Sequence, residues 1–380
     1  MISPAQETAK RFRQGTHRVR PPEETWDRVR GHLPSAGITR VADVTTLDVL
    51  GVPVYQAVRP ASRNLAVSQG KGATDAAARV SAVMEAFELW HAEDLSPVPQ
   101  VTVTVGEMRE ANAIPLAALR WANGIRVPRG MPLAWVRAAS CNGERHGWLP
   151  RIMLELDFRM RLELPPRLFE LTSNGLASGN CLEEALLHGL CELIERHALF
   201  LAREEPRRRL ALIPGSIEDP WMRGVLARIR EAGMKLALWD VTWEAGVPVV
   251  IADLAGPDFP HVWRGSGCHP DPAVALSRAL TEAIQSRLTY ISGARDDLPT
   301  LPSAPTAHLL FDAFAEPPGG RRLADLPDLS GPSVAGDLAG VVERLAALEL
   351  PAFFVDLTRP ELDVSVAFSF VPGLREIPHG

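Results

Sequence analysis

Lysine is almost absent from this chain. Of 380 residues only Lys10, Lys71 and Lys235 are lysine, which leaves 37 of the 40 basic residues as arginine. The net charge is -6, and no basic stretch suggests a nucleic-acid partner. The N-terminus lacks the apolar segment of a secretory signal, and no apolar run approaches the length of a bilayer-spanning helix. We therefore expect a cytoplasmic protein with no nucleic-acid and no membrane partner.

Cysteine is also scarce. The four cysteines, Cys141, Cys181, Cys191 and Cys268, contain no CxxC pair, which favours free thiols over disulfides or a zinc site. Cys268 precedes His269, but adjacent residues rarely face each other, so no nucleophile–base pair is predicted. The sequence lacks both the GxxxxGK[ST] phosphate loop and a GxGxxG motif after a strand. A nucleotide site, if there is one, is neither a P-loop nor a Rossmann site.

The pattern of apolar residues predicts an α+β fold in which antiparallel hairpins pack with helices. Residues 1–35 form a polar N-terminal arm with a short helix, and residues 36–380 form a single domain. Residues from about 299 to 336 are rich in Pro, Gly and Asp, which indicates a surface excursion.

One hairpin-and-helix unit is duplicated. The segments "DVTTLDVLGVPV" from Asp43 and "DVTWEAGVPVV" from Asp240 resemble each other, and "DLTRPELDVSV" from Asp356 is a third, weaker match. Beyond the hairpin the first two agree at an offset of 197, which relates Gly70 to Gly267 and Glu85 to Glu282. The duplication predicts two equivalent helix faces directed at one place.

Three helices carry polar stripes inside otherwise apolar sequence. Because an α-helix turns about 100° per residue, positions at i, i+4 and i+7 or i+8 share a face. The stripes are Ser81, Glu85 and Glu88; Arg278, Glu282 and Gln285; and Glu184, His188, Glu192 and Glu195. Asn180 is predicted to be the N-cap of the last helix, with Glu183 completing a capping box.

These stripes are either solvated faces, structural ion pairs or a ligand site. Solvated faces are usually rich in lysine, and these have none. Carboxylates that converge in a partly buried place repel one another and become protonated unless cations compensate. Clusters of oxygen ligands suit Mg²⁺, which often bridges substrate phosphates. The favoured interpretation is a nucleoside triphosphate held by carboxylate-bound Mg²⁺.

At these residues the chain resembles the YcaO family, ATP-dependent enzymes that activate backbone amides. The similarity lies in "GKGATDAAARVSAVMEAFELWHAE", "SNGLASGNCLEEALLHGLCELIERHA" and "GSGCHPDPAVALSRALTEAIQSR", within residues 68–93, 172–199 and 264–288. Leu89 and His197 depart from residues common in the family, arginine and aspartate. Neither departure changes a carboxylate.

The resemblance implies a YcaO-like fold, the cofactors ATP and Mg²⁺, and a set of site residues. It implies Mg²⁺ ligands at Glu85, Glu88, Glu192, Glu195 and Glu282. It implies nucleotide contacts from Ser81, Asn180, Glu184 and Arg278, and position along the chain adds Lys71 and Gln285. No catalytic nucleophile is predicted.

In the family, ATP phosphorylates the amide oxygen of a peptide after a nucleophile attacks the carbonyl carbon. External sulfide gives a thioamide, a neighbouring Cys, Ser or Thr gives an azoline, and an amine gives an amidine. The ending "VPGLREIPHG" lacks the proline-alternating tail of azoline-forming members, and "FRQGTHRVRPPEETW" resembles members that work with TfuA-type partners. We expect thioamide formation on a peptide or protein with a TfuA-like partner, and a homodimer. The alternatives are an azoline cyclodehydratase, a small-molecule ligase and a non-catalytic nucleotide-binding scaffold.

Overall fold

The computed structural model describes residues 8–119, 121–122, 127–159, 168–259, 261–295 and 307–377. Residues 1–7 of the arm and 299–306 of the expected excursion lie outside this range. The described helices are α1 (Pro22–Val29), α2 (Asp75–Ala92), α3 (Val105–Ala111), α4 (Leu182–Glu204), α5 (Pro220–Glu231), α6 (Pro272–Ser292), α7 (Ala307–Ala313) and α8 (Val334–Ala347). Short 3₁₀ turns occupy Arg30–His32, Thr45–Leu47, Leu116–Ala118, Arg151–Met153, Pro206–Arg208, Pro214–Ser216 and Leu323–Asp325.

The strands of the described residues form three antiparallel sheets, as the hairpin patterns predict. They are β1 (Arg40–Asp43), β2 (Val54–Val58), β3 (Val67–Lys71), β4 (Gln100–Thr104), β5 (Pro132–Ser140), β6 (His146–Pro150), β7 (Leu176–Gly179), β8 (Leu210–Leu212), β9 (Lys235–Asp240), β10 (Val249–Ala255), β11 (Val262–Cys268), β12 (Phe353–Asp356) and β13 (Ser365–Phe370). Their orders are β1-β2-β3, β11-β10-β9-β8 and β4-β5-β12-β13-β7, with β6 paired to β5. The α+β fold class is confirmed.

The predicted duplication is a repeated three-strand unit followed by a helix. Strands β1-β2-β3 with α2 correspond to β9-β10-β11 with α6. The offset of 197 holds for the first strand, the third strand and the helix. For the second strand the offset is 195. Val54 is paired with Lys71 and Val249 is paired with Cys268, so Val54 corresponds to Val249. The loop between β9 and β10 is therefore two residues shorter than the loop between β1 and β2.

A third unit has the same local chemistry but a different chain order. Its sheet path is β12-β13-β7, and helix α4 follows β7. The Oδ1 atoms of Asp43, Asp240 and Asp356 each accept a hydrogen bond of 2.9 Å from the amide of the threonine two residues later. Those threonine hydroxyls accept from the amides of Val54, Val249 and Val366 at 3.1, 3.1 and 3.2 Å. The weak third sequence match is thus a true structural repeat.

Glycine allows the helix to lie directly on the third strand in two units. A Cβ at Gly70 would lie 2.2 Å from the carbonyl oxygen of Ala78, and one at Gly267 would lie 2.1 Å from that of Ala275. A backbone approach this close tolerates only glycine. The close packing fixes the rotation of α2 and α6, and so the direction of their polar stripes.

The structure tests several sequence expectations in detail. The prediction that Asn180 caps α4 is wrong, because the helix begins at Leu182 and Cys181 holds the N-cap position without a side-chain hydrogen bond. Lys71 is the last residue of strand β3. All four cysteines are free, with Cys191 and Cys268 buried and the other two half-buried. Within the described ranges, no helix combines the length and the apolar character needed to cross a bilayer.

Candidate functional site

The polar stripes of α2, α4 and α6 face one cavity of about 560 Å³. This volume lies in the range of small-molecule and cofactor sites. All eleven residues assigned to the site from the sequence line it: Lys71, Ser81, Glu85, Glu88, Asn180, Glu184, Glu192, Glu195, Arg278, Glu282 and Gln285. The stripes are therefore walls of one cavity and not solvated faces.

Three of the carboxylates are held by donors from the loop and strands around them. Glu88 Oε1 accepts from the amide and the hydroxyl of Ser178 at 2.8 and 2.6 Å. Glu192 Oε2 accepts from the amide of Gly175 at 2.9 Å, and Glu195 Oε1 accepts from the hydroxyl of Ser266 at 2.7 Å. These bonds engage one oxygen of each carboxylate from the protein side.

Burial is the main influence on the pKa values of the carboxylates in this cluster. Burial raises the pKa of Glu85 to about 7, although Lys71 lowers it. Burial raises the pKa of Glu88 to about 8 against the Ser178 hydrogen bond, and the neighbouring Glu85 and Glu192 raise it further. Burial likewise raises the pKa of Glu192. As expected from the sequence, Glu85 and Glu88 keep their protons to a higher pH than an exposed glutamate does, and a bound cation would favour their ionised forms.

Lys71 and Arg196 pair with carboxylates of the cluster, and Arg18, Arg20, Arg278 and Arg295 also line the cavity. Lys71 Nζ donates to Glu282 Oε2 at 2.8 Å. Burial raises the pKa of Glu282, but Lys71 and then Arg196 outweigh it, so the net shift is downward. Arg196 lies 3.6 Å from Glu192 and 3.4 Å from Glu195. The site prediction omitted Arg196, although it stands at i+4 from Glu192, the spacing of an ion pair on a helix.

Arg278 crosses from α6 to α4. Its Nη2 lies 2.5 Å from Nε2 of His188, and burial followed by the charge of Arg278 takes the pKa of His188 well below 6.5. His188 is therefore neutral and accepts this bond. The contact orients a guanidinium at the cavity wall, where it can pair with phosphate oxygens.

The N-terminal arm completes one end of the cavity, which the sequence alone did not indicate. Gln14, Gly15, Thr16, Arg18, Arg20, Pro22 and Thr25 also line it. Arg20 donates to the carbonyl oxygen of Asn180 at 3.1 Å, and Thr25 donates to its Oδ1 at 2.8 Å. Glu184 is buried with both oxygens engaged, one by the amide of Val19 at 2.5 Å and the other by Asn180 at 2.8 and 3.0 Å. Glu184 thus ties the arm to the start of α4.

A buried cluster behind the cavity anchors the same arm. His17, His269 and Asp337 have ligand atoms within 4.8 Å of one another, a spacing that would suit a metal ion. However, Lys10 Nζ lies 2.5 Å from Asp337 Oδ2, and both side chains are fully buried. Because the ammonium group already supplies the neutralising charge, we interpret the cluster as an ion-paired anchor.

The donor set of the main cavity fits Mg²⁺. Its five predicted ligands offer carboxylate oxygens only, the type that a hard cation prefers. Three of them have raised pKa values from burial, so they gain from a bound cation. Each of Glu88 and Glu195 directs one oxygen to a serine, and no hydrogen bond recorded within the described residues engages the other oxygen.

Comparison with known sequences identifies relatives of this architecture. A family model described as YcaO cyclodehydratase, ATP- and Mg²⁺-binding, matches residues 69–375. An uncharacterized protein of Mycobacterium tuberculosis H37Rv is 41% identical over 302 residues, which is 79% of this chain and 68% of that protein. An uncharacterized protein in the tfuA 3′ region of Rhizobium leguminosarum bv. trifolii is 37% identical over 376 residues, 93% of this chain and 87% of that protein.

Solved structures share the fold. YcaO from Methanopyrus kandleri, bound with AMPPCP and Mg²⁺, superposes with a TM-score of 0.74 at 25% identity, covering 97% of this chain and 94% of that one. A heterocyclase in complex with substrate and cofactor gives a TM-score of 0.79 at 23% identity. That match covers 97% of this chain but 55% of the heterocyclase, and at this identity it shows the fold alone.

Proposed function

The chain belongs to the YcaO family, and we propose that it uses ATP and Mg²⁺ to activate a backbone amide of a peptide or protein. The observation that carries this proposal is the convergence of eleven side chains, foreseen from the sequence, on one cavity of nucleotide size. The M. kandleri relative, which is bound with AMPPCP and Mg²⁺, supports the same cofactors here.

We assign the two sets of residues to the two parts of a magnesium nucleotide. Glu85, Glu88, Glu192, Glu195 and Glu282 would hold Mg²⁺. Lys71, Ser81, Asn180, Glu184, Arg278 and Gln285 would form the nucleotide wall. Glu184, whose oxygens are both engaged, acts there by fixing Asn180 and the arm.

The chemistry requires that an amide oxygen become a leaving group. A nucleophile adds to the carbonyl carbon, the oxygen takes the γ-phosphoryl group with release of ADP, and phosphate then departs. When bound, Mg²⁺ would neutralise charge on the transferring phosphoryl group. Arg278 and Lys71 would pair with phosphate oxygens, and Arg196, which lies 3.6 Å from Glu192 and 3.4 Å from Glu195, would orient these two carboxylates.

We propose sulfide as the nucleophile, so that the product is a thioamide, with a TfuA-like partner delivering the sulfur. The location of the R. leguminosarum relative in the tfuA 3′ region supports this choice. Azoline formation is the alternative, because the family model is that of a cyclodehydratase. Residues 1–35 as an arm, residues 36–380 as one catalytic domain, and a homodimer all remain predictions.

The test is a calorimetric titration of AMPPCP with and without Mg²⁺. Wild type should bind only with Mg²⁺, and Glu195→Gln should bind far more weakly. Glu183→Gln is the matched control, since Glu183 lies on the same helix outside the cavity. Well-folded wild type that binds no nucleotide would refute the proposal.

The product is identified by co-expressing the chain with a TfuA-like protein and a candidate peptide, followed by intact-mass analysis. Thioamide formation replaces oxygen by sulfur and raises the peptide mass, whereas cyclodehydration removes water and lowers it. Tight Mg²⁺-dependent binding without ATP turnover in any combination would favour the scaffold.

A further inference from the structure

The three repeated units hold one another's carboxylates in a cycle. Glu88 on α2, in the first unit, accepts from Ser178 on β7, in the third. Glu195 on α4, in the third unit, accepts from Ser266 on β11, in the second. Glu282 on α6, in the second unit, accepts from Lys71 on β3, in the first. Each helix therefore has a carboxylate fixed by the third strand of another unit.

The donors occupy related positions in their strands. Lys71, Cys268 and Ser178 are equivalent because of their strand partners. Each is paired with the valine whose amide donates to the turn threonine of its unit, and these valines are Val54, Val249 and Val366. Ser266 stands two residues before Cys268 and so projects from the same face of its strand. Lys71 and Ser178 line the cavity, and Ser266 lies on the corresponding face of its strand.

The two serine contacts are buried and specific. Ser178 is 6% and Ser266 3% exposed, and Glu195 is 5% exposed. Both serines engage the Oε1 atom of their carboxylate. A hydrogen bond to one oxygen restricts rotation of the carboxylate and so limits where its other oxygen can lie. The units differ in the donor: one uses an ammonium group, and two use neutral hydroxyls that add no charge competing with a cation.

We propose that Ser178 and Ser266 are positioning residues that orient Glu88 and Glu195 for Mg²⁺. This inference rests on the proposed function, because it assigns these carboxylates to the metal. Hydrogen bonds from outside the ligand set orient metal ligands, and their loss costs metal affinity. The backbone amide of residue 178 also holds Glu88, so the Ser178 hydroxyl matters less than that of Ser266.

The experiment measures the Mg²⁺ concentration that gives half-maximal binding of AMPPCP. Ser266→Ala should raise this midpoint about 10-fold, the lower range for loss of a ligand-orienting bond, and Ser178→Ala about 3-fold. Ser178→Thr and Ser266→Thr keep the hydroxyl and should lie near wild type. Ser68→Ala is the control. Ser68 is a buried serine on the third strand β3, its hydroxyl has no hydrogen-bond partner among the described residues, and it does not line the cavity.

The outcomes separate the inference from its premise. If wild type shows no Mg²⁺-dependent binding, the proposed function fails. If wild type binds but both alanine variants keep its midpoint, the positioning role is refuted, even where their melting temperatures fall. Should an alanine variant not fold, Ser266→Cys preserves the volume with a weaker donor, and an unchanged midpoint in that variant also refutes the role.

Discussion

Glu88 should destabilise the metal-free protein, and Glu88→Gln should relieve this cost. In the folded state burial raises the pKa of Glu88 from 4.5 to about 8. Between these values the folded protein binds more protons than the unfolded chain, so the free energy of unfolding decreases as pH rises. The stability that protonated Glu88 contributes is fully present below about pH 4.5 and has been lost above about pH 8.

The size of the effect follows from the same values. A pKa that is higher by one in the folded state corresponds to about 1.4 kcal/mol. The rise from 4.5 to about 8 therefore means that ionisation of Glu88 costs the folded state on the order of 5 kcal/mol. Glutamine cannot ionise, and its Oε1 can still accept both bonds from Ser178. The substitution therefore removes the charge without removing the contact. The variant and wild type should be equally stable near pH 4.5 and should diverge by several kcal/mol near pH 9.

Urea unfolding in EDTA at a series of pH values measures this difference. Glu110→Gln is the control, since that side chain is 77% exposed in a surface ion pair. Saturating Mg²⁺ and AMPPCP should reverse the order, because ligand binding stabilises wild type and not the variant. Parallel pH profiles for Glu88→Gln and wild type would refute the reasoning, since they would mean that Glu88 stays ionised without cost.

Three further predictions test the cavity, the packing and the arm. Arg278→Ala should weaken Mg²⁺–AMPPCP binding about 10- to 100-fold in calorimetry, because it removes one or two charge-assisted hydrogen bonds, and Arg278→Lys should be intermediate. If the variants bind with the affinity of wild type, Arg278 does not contact a phosphate. Gly70→Ala should lower the free energy of unfolding in urea by about 3 kcal/mol or more, because the new Cβ would clash with α2. Gly31→Ala is the control and should not lower it, since no atom lies within 4 Å of a Cβ at that position. Equal losses in the two variants would contradict the packing argument. Lys10→Met should lower the free energy of unfolding by about 3–5 kcal/mol, because it leaves the buried Asp337 without its ion-pair partner. Adding Asp337→Leu should recover much of this loss. A Lys10→Met variant as stable as wild type would show that the pair does not anchor the arm.

The carboxylate site was predictable from sequence because each of its parts is local. Glu85 and Glu88 share a helix face by spacing alone, and the absence of lysine removes the usual reason for an acidic face. The hairpins were likewise visible, since alternation and turn residues act over a few positions. The duplication then indicated that at least two of the faces meet.

The contacts of the arm could not be read in this way. Val19 and Glu184 meet across 165 residues, and no periodic pattern links them. Arg18 and Arg20 lie in a polar stretch that would read equally well as a solvated tail. The N-cap error at Asn180 has a related cause: its side chain is drawn to Thr25 and Glu184, so a distant partner overrides the local capping preference.

The cyclic arrangement explains why a site this acidic can exist in a stable fold. Each third strand supplies a donor to the carboxylate of another unit, so closing the cycle assembles the cavity and fixes the packing of the three units at the same time. The raised pKa values of Glu85 and Glu88 show that burial is not fully offset by these donors. The protein thus keeps carboxylates whose ionisation is costly at the cavity where the three units meet. A cation bound there would favour the ionised carboxylates and so recover the stability that their burial costs the metal-free fold.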